Sequence, residues 1–203
     1  HQVGAHGGLG GAQTKAFLLH PTILEEGDAS PADVFFAQDA GALQVIQDEG
    51  MATALPADLL AKVPARFRSA DGQWVGTSGR ARVIVYNTES VPAEDVPRTV
   101  FDLTDRQWQG KVGIAPTNAS FQAFVTAMRV TVGEERTRQW LEDMVANDAQ
   151  TFENNTGVLD AVDTGIVELG LVNHYYWFEK AKEIGAENMK VANAAFEAGD
   201  PGN

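Results

Sequence analysis

From Thr22 onward, apolar positions along the chain fall into two alternating kinds of run. Short unbroken or β-branched runs read as strands, and stripes spaced at i, i+3, i+4 and i+7 read as helices. Thr22–Glu26 reads as the end of a helix stopped by Gly27. Ala32-Asp-Val-Phe-Phe-Ala37 has strand character, and Ala40–Glu49, with Leu43 and Ile46 on one face, reads as a helix closed by Gly50. A short helix is predicted over Ala57–Val63, and strands over Trp74–Gly76 and Ala81–Tyr86. Val83-Ile-Val-Tyr86 is β-branched and aromatic, which suits the centre of a sheet. Val100–Trp108 reads as short and helical, and Val112–Ala115 as a strand. Pro116-Thr-Asn-Ala-Ser120 is a turn into a helix on which Phe121, Phe124, Val125 and Met128 form one amphipathic stripe. After Gly133 a second helix spans Glu134–Ala146, with Trp140, Leu141, Met144 and Val145 expected to be buried. A helix over Thr156–Asp163 ends near Gly165, and a strand follows over Val167–Val172. Tyr175–Ile184 is a helix stopped by Gly185, and Lys190–Ala195 a last strand.

Strands alternating with helices predict an α/β architecture with a largely parallel sheet. Asn87–Pro97 is a polar, proline-bearing connection and the best candidate boundary between lobes. Residues 1–21 do not match the rest. They hold three of the four histidines and five glycines within eleven residues, and they read as a disordered or foreign segment. No metal role is assigned to His1, His6 or His20. The end, Gly199-Asp-Pro-Gly-Asn203, is a turn with nothing after it, which reads as truncation.

Composition narrows the chemistry. The chain has 203 residues, no cysteine and a net charge of −13. The missing cysteines exclude disulfides, thiolate metal sites and cysteine nucleophiles, and the charge argues against a nucleic-acid partner. No apolar run is long enough to span a membrane, and no signal peptide is visible, so the chain reads as cytoplasmic or as a mature exported form.

The chemistry-bearing stretch is Leu169-Gly-Leu-Val-Asn-His-Tyr-Tyr-Trp-Phe178. Polar groups there sit where a strand gives way to a helix, the place where open α/β sheets collect ligands. Tyr175 and Tyr176 are hard oxygen donors that suit a trivalent cation, which would stabilise the phenolates. The same aromatic cluster also reads as ordinary core. Ser120, Asn154, Asn155 and Asn173 stand at or before predicted helix starts, where free backbone N–H groups bind anions and where the same residue types act as plain caps. Gln38 and Asp39 follow the first-lobe strand. Arg80 and Arg82 flank the start of the Ala81–Tyr86 strand and are candidates for bidentate anion binding. The chain has no Gly-x-Ser-x-Gly elbow, no P-loop, no dinucleotide fingerprint and no His-Glu-x-x-His, and nothing pairs His174 with a nucleophile.

The stretches TILEEGDASPADVFFAQDAGAL, WVGTSGRARVIVYNT, LTDRQWQGKVGIAPTNASFQAFVTAMR, FENNTGVLDAV and GLVNHYYWF resemble periplasmic ferric-iron-binding proteins, the solute receptors of iron ABC transporters. The resemblance runs from Thr22 to Gly202, in family order. It implies a two-lobed, transferrin-like type II periplasmic binding fold, here incomplete. On that pattern residues 22–87 belong to the first lobe and 88–189 form the second. Residues 190–203 begin a truncated crossover back to the first. The implied Fe(3+) ligands are Tyr175 and Tyr176, with Gln38 standing where some members carry an acidic ligand. Ser120, Asn155 and Asn173 fall where phosphate-binding members hold a synergistic anion, and Arg80 or Arg82 is the candidate in carbonate-type members. The implied partner is an ABC permease, and the implied protein is a monomer outside the cytoplasm, periplasmic or lipid-anchored, without catalysis. A receptor of the same fold for another oxyanion or an organic solute is the alternative, ahead of an α/β enzyme. Two departures stand out: Gln38 is not a carboxylate, and residues 1–21 do not resemble the family's N-terminal strand.

Overall fold

A computed structural model describes residues 21–37 and 40–202. The chain divides into two compact units, His1–Gly79 and Arg80–Asn203.

In the first unit, a helical stretch at 21–26 runs into a 3-10 turn, Gly27–Ala29. Helix α1, Ala40–Asp48, buries Ile46. Helix α2 is the single turn Ala57–Leu60, shorter than its apolar pattern suggested. The Ala32–Ala37 run does not form the expected strand. Only Val34 makes a bridge, and Val34 and Phe36 stay exposed. Trp74–Gly76 likewise reduces to one bridge, Arg68 to Val75. A strand exists through its partner's ladder of hydrogen bonds, and apolar character alone does not supply the partner.

The second unit is built on one five-stranded sheet in the order β3-β2-β4-β1-β5. Its strands are β1 Arg82–Asn87, β2 Val112–Ile114, β3 Gln150–Thr151, β4 Leu169–Asn173 and β5 Val191–Ala194. β2 runs parallel to β3 and β4, while β1 is antiparallel to both β4 and β5. The sheet is therefore mixed and not largely parallel. Helical periodicity between strands signals crossovers, which hold for β2, β3 and β4, but it carries no information on the direction of β1. The division between units falls at Gly79/Arg80. β1, read with the first lobe in the sequence, pairs with β4 from Arg82↔Asn173 to Tyr86↔Leu169.

Helices cover both faces. On one lie α3, Ala119–Val132, and α4, Glu134–Ala146, joined at Gly133, whose φ of +92° favours glycine. Phe121, Phe124, Met128, Trp140 and Met144 from these helices pack on Ile84, Leu169 and Leu171. On the other face lie α5, Asn155–Asp163, and α6, Tyr175–Ile184. There Val158, Leu159 and Val162 pack on Val83, Val85 and Val172. The alternation of Val83 and Val85 against Ile84 is the period-2 signature of a strand buried on both sides. α5 approaches so closely that a Cβ on Gly170 would meet Val158 Cγ1 at 2.5 Å. Val145, expected to be buried, is 77% exposed. The buried residues of α4 are Thr137, Trp140 and Met144, and one further residue turns the side chain about 100° off that stripe. Val100–Trp108 forms two 3-10 helices, Phe101–Thr104 and Arg106–Trp108.

This topology sets the site. β2, β3 and β4 deliver their following helices α3, α5 and α6 from one edge of the sheet. Because β1 is antiparallel, its first residue, Arg82, lies at that same edge, opposite Asn173.

Candidate functional site

Each helix at this edge begins with a polar residue. Asn118 caps α3, its Oδ1 accepting from Ser120 N at 3.0 Å and from Ser120 Oγ at 2.7 Å. Asn154 caps α5 by accepting from Gly157 N at 2.9 Å, which is the ordinary capping role. That leaves the next residue, Asn155, to face inward. It is fully buried, and its Nδ2 donates to Ser120 Oγ at 3.0 Å and to Asn118 Oδ1 at 3.4 Å.

Into this polar cluster comes the guanidinium of Arg82. It donates from Nη1 to Asn155 Oδ1 and to the Leu171 carbonyl, and from Nη2 to Ser120 Oγ, each at 3.4 Å. Phe124 and Phe121 lie beneath it, with ring centroids 5.4 and 5.8 Å from the guanidinium carbon. All three hydrogen bonds are long, Nε is buried without a partner, and among the described residues no carboxylate pairs with the charge. Burial pulls the Arg82 pKa down to about 10, and the nearby Tyr176 and Tyr175 oppose that effect. The guanidinium remains protonated at neutral pH, so the cluster is a buried, under-satisfied cation ringed by hydrogen-bonding groups. That donor set suits a small oxyanion.

The tyrosines lie beside it. Asn173 ends β4 and is 5% exposed. His174 follows with helical torsions, and α6 starts at Tyr175. Tyr175 and Tyr176 are half-buried, and their rings stack with centroids 4.5 Å apart at 27°. Burial raises the Tyr175 pKa above the usual phenol range, the hydrogen bond with Tyr176 adds to this, and the Asn173 side chain works against it. Consecutive residues on a regular helix diverge by about 100°, so the stacked pair is a feature of the junction. α6 itself is pinned to α5 by Lys180, which lies 2.8 Å from both Asp160 and Asp163.

The structure thus gathers Arg82, Ser120, Asn155, Asn173, Tyr175 and Tyr176 at one edge. Arg80 is exposed at the entrance to the unit, where its charge acts on both Arg82 and Tyr175. Gln38 lies outside the described residues. Asn118 was not among the sequence candidates, although its place in the Pro116–Ser120 turn, just ahead of a helical stripe, is a capping signal. As a test of fit to Fe(III), two phenol oxygens beside an anion cradle are hard donors suited to a hard cation. Among the described residues no group of three or more His, Cys, Asp or Glu side chains gathers to hold a metal.

At one sheet edge this mixed α/β unit brings together helix-start polar groups, a buried guanidinium and paired phenols. Residues 29–192 match the family described as bacterial extracellular solute-binding proteins, and the chain belongs to that family. It is a family of binding proteins for transport, not of enzymes. The chain is 33% identical over 180 residues to an Fe(3+)-binding periplasmic protein of Serratia marcescens, a match covering 89% of this chain and 53% of that one. Among solved structures it resembles iron-bound HitA from Pseudomonas aeruginosa, with a TM-score of 0.83, 32% identity and coverage of 92% of this chain and 60% of that one. It also resembles the Trichodesmium protein IdiA (FutA) in complex with iron and citrate, with a TM-score of 0.78, 32% identity and coverage of 88% and 58%. The chain spans about half the length of the curated relatives it matches.

Proposed function

We propose that this chain belongs to a receptor that captures Fe(III) through the phenolates of Tyr175 and Tyr176 and seats a small anion, phosphate or carbonate, on Ser120, Asn155, Asn173 and Arg82. Arg80, whose charge acts on both Arg82 and Tyr175, is a further candidate for holding the anion. Gln38 is the candidate ligand from the first lobe. The whole receptor works as a monomer outside the cytoplasm, free in the periplasm or lipid-anchored, and hands its ion to an ABC permease.

The observation that carries this reading is the stacked Tyr175–Tyr176 pair standing next to a buried Arg82 that has no carboxylate partner among the described residues. A trivalent cation pays for phenol deprotonation by direct bonding, and an oxyanion on Arg82 supplies both the missing countercharge and further oxygen donors. The named relatives that bind ferric iron support the same conclusion.

The test is to load the protein with Fe(III) from a nitrilotriacetate complex, with and without phosphate or bicarbonate. A visible tyrosinate-to-iron charge-transfer band that strengthens with the anion is expected. A colourless protein that takes up an oxyanion or organic acid without iron would replace this reading with that of a same-fold receptor for another solute.

A further inference from the structure

The two residues that bracket the tyrosine pair are both tied to one strand. Asn193 Nδ2 donates to the His174 carbonyl at 2.9 Å, and Trp177 Nε1 donates to the Val191 carbonyl at 2.7 Å. Tyr175 and Tyr176 lie between these two ties. Val191 and Asn193 are alternate residues of β5, so their side chains share one face. β5 is itself fixed by its ladder to β1, with Val85↔Asn193 and Asn87↔Val191 in register. A further tie comes from Ala81, just before β1. Its N–H donates to His174 Nδ1 at 3.2 Å, and its carbonyl accepts from His174 N at 3.0 Å.

These ties matter because α6 does not cap itself. His174, at its N-cap position, already has helical torsions (φ −55°, ψ −32°) and makes no side-chain cap bond. The turn that presents the tyrosines is held from outside, by β5, which contributes none of the proposed ligands, and by Ala81 ahead of β1. Among the described residues, Asn193 and Trp177 donate to main-chain carbonyls and make no hydrogen bond to Arg82, Ser120 or Asn155. The Asn193 amide is engaged through its N–H alone, its Oδ1 being buried without a partner.

We infer that Asn193 and Trp177 are positioning residues that set the geometry of the Tyr175–Tyr176 pair from β5. This rests on the reading of the tyrosines as Fe(III) ligands, which need their oxygens held to within about 0.5 Å. Groups that orient metal ligands typically contribute about 10- to 100-fold in metal affinity.

The test uses the full chain with Asn193→Leu, which keeps the side-chain shape and removes the donor, and Trp177→Phe, which keeps an aromatic ring and removes Nε1–H. In the iron-free protein, amide hydrogen exchange at residues 174–178 should rise about tenfold in each variant while β4 and α3 keep wild-type protection. The near-UV circular dichroism of the tyrosine pair should change with it. In the Fe(III)-loaded protein, the charge-transfer band should shift and affinity should fall about 10- to 100-fold. Wild-type exchange and dichroism in both variants would overturn the inference, as would a uniform rise in exchange across the whole unit, the mark of a merely stabilising contact. If the wild-type protein itself gives no band with Fe(III), the functional reading falls. The exchange and dichroism of the iron-free variants then still decide whether β5 positions the pair.

Discussion

Arg82 Nη1 and Asn155 Oδ1 lie 3.4 Å apart although 73 residues separate them along the chain. One residue opens a strand and the other opens a helix, and their meeting depends on the antiparallel pairing of β1 with β4. The contact is long, and among the described residues Arg82 Nε has no partner. A fully buried amide and a buried cation therefore face one another across a cradle that a small oxyanion would complete.

Replacing Arg82 should separate ligand binding from stability. Exchanging a buried charge for an apolar side chain of similar volume is often neutral or stabilising. Arg82→Met is therefore expected to unfold within about 1 kcal/mol of wild type in urea. The same variant should lose the dependence of Fe(III) uptake on added phosphate or bicarbonate, read by absorbance titration.

The tyrosines are expected to be needed together. Tyr175→Phe and Tyr176→Phe each keep the stacked ring and remove one hydroxyl. Each single variant should weaken and shift the visible band, and the double variant should abolish it. Because the Tyr176 ring is kept and Tyr176 packs against the apolar cluster on the α5 face, the double variant should stay folded, with its far-ultraviolet circular dichroism unchanged.

Iron capture should be lost in acid. Tyr175 is held protonated above the usual phenol range, so the ion must displace phenol protons on binding. With two phenols deprotonated, affinity should fall by up to about two decades for each unit of decreasing pH. Competition with a chelator of known pH dependence, run across the neutral-to-acid range, measures this slope.

The iron-free protein should show the opposite linkage in alkali. An unfolded tyrosine loses its proton near pH ~10, whereas folded Tyr175 keeps it to higher pH. Between those values the unfolded chain has fewer bound protons, so Tyr175 lowers stability as pH rises. Arg82 acts in the other direction. Its folded value of about 10 lies below that of a free guanidinium, so its burial cost is relieved as it deprotonates. Tyr175→Phe removes the first effect and also one of the two phenols that hold the Arg82 value up. Urea unfolding should show this variant gaining stability relative to wild type as pH rises through about 10, where the unfolded tyrosine loses its proton.

The close approach of α5 to the sheet gives a purely structural test. A Cβ at Gly170 would lie 2.5 Å from Val158 Cγ1 and 3.1 Å from both Val162 Cγ2 and Val85 Cγ2. Gly170→Ala should therefore cost about 1–3 kcal/mol, visible as a lower thermal midpoint. Asn155 is carried on the displaced helix, so anion binding should weaken as well.

Local pattern sufficed for much of this protein. The stripe of Phe121, Phe124 and Met128, the stops at Gly133 and Gly185, and the span of α6 all depend on residues within a few turns of one another. The strand-to-helix junction at Asn173–Tyr176 was legible for the same reason, and its motif carried the resemblance to ferric-iron receptors. Tertiary structure alone decided the rest. Whether Ala32–Ala37 or Trp74–Gly76 became a strand depended on a partner elsewhere in the chain. The direction of β1 buried Arg82 beside Asn155 and Ser120 while Arg80, two positions earlier, stayed exposed. Asn118 and Asn155 were each readable as caps, and only folding turned one inward onto the other and onto Ser120. Capping and periodicity are short-range and written residue by residue. The candidate site is a meeting of four distant helix and strand ends, and the β1–β4 pairing that sets Arg82 opposite Asn173 has no local signature.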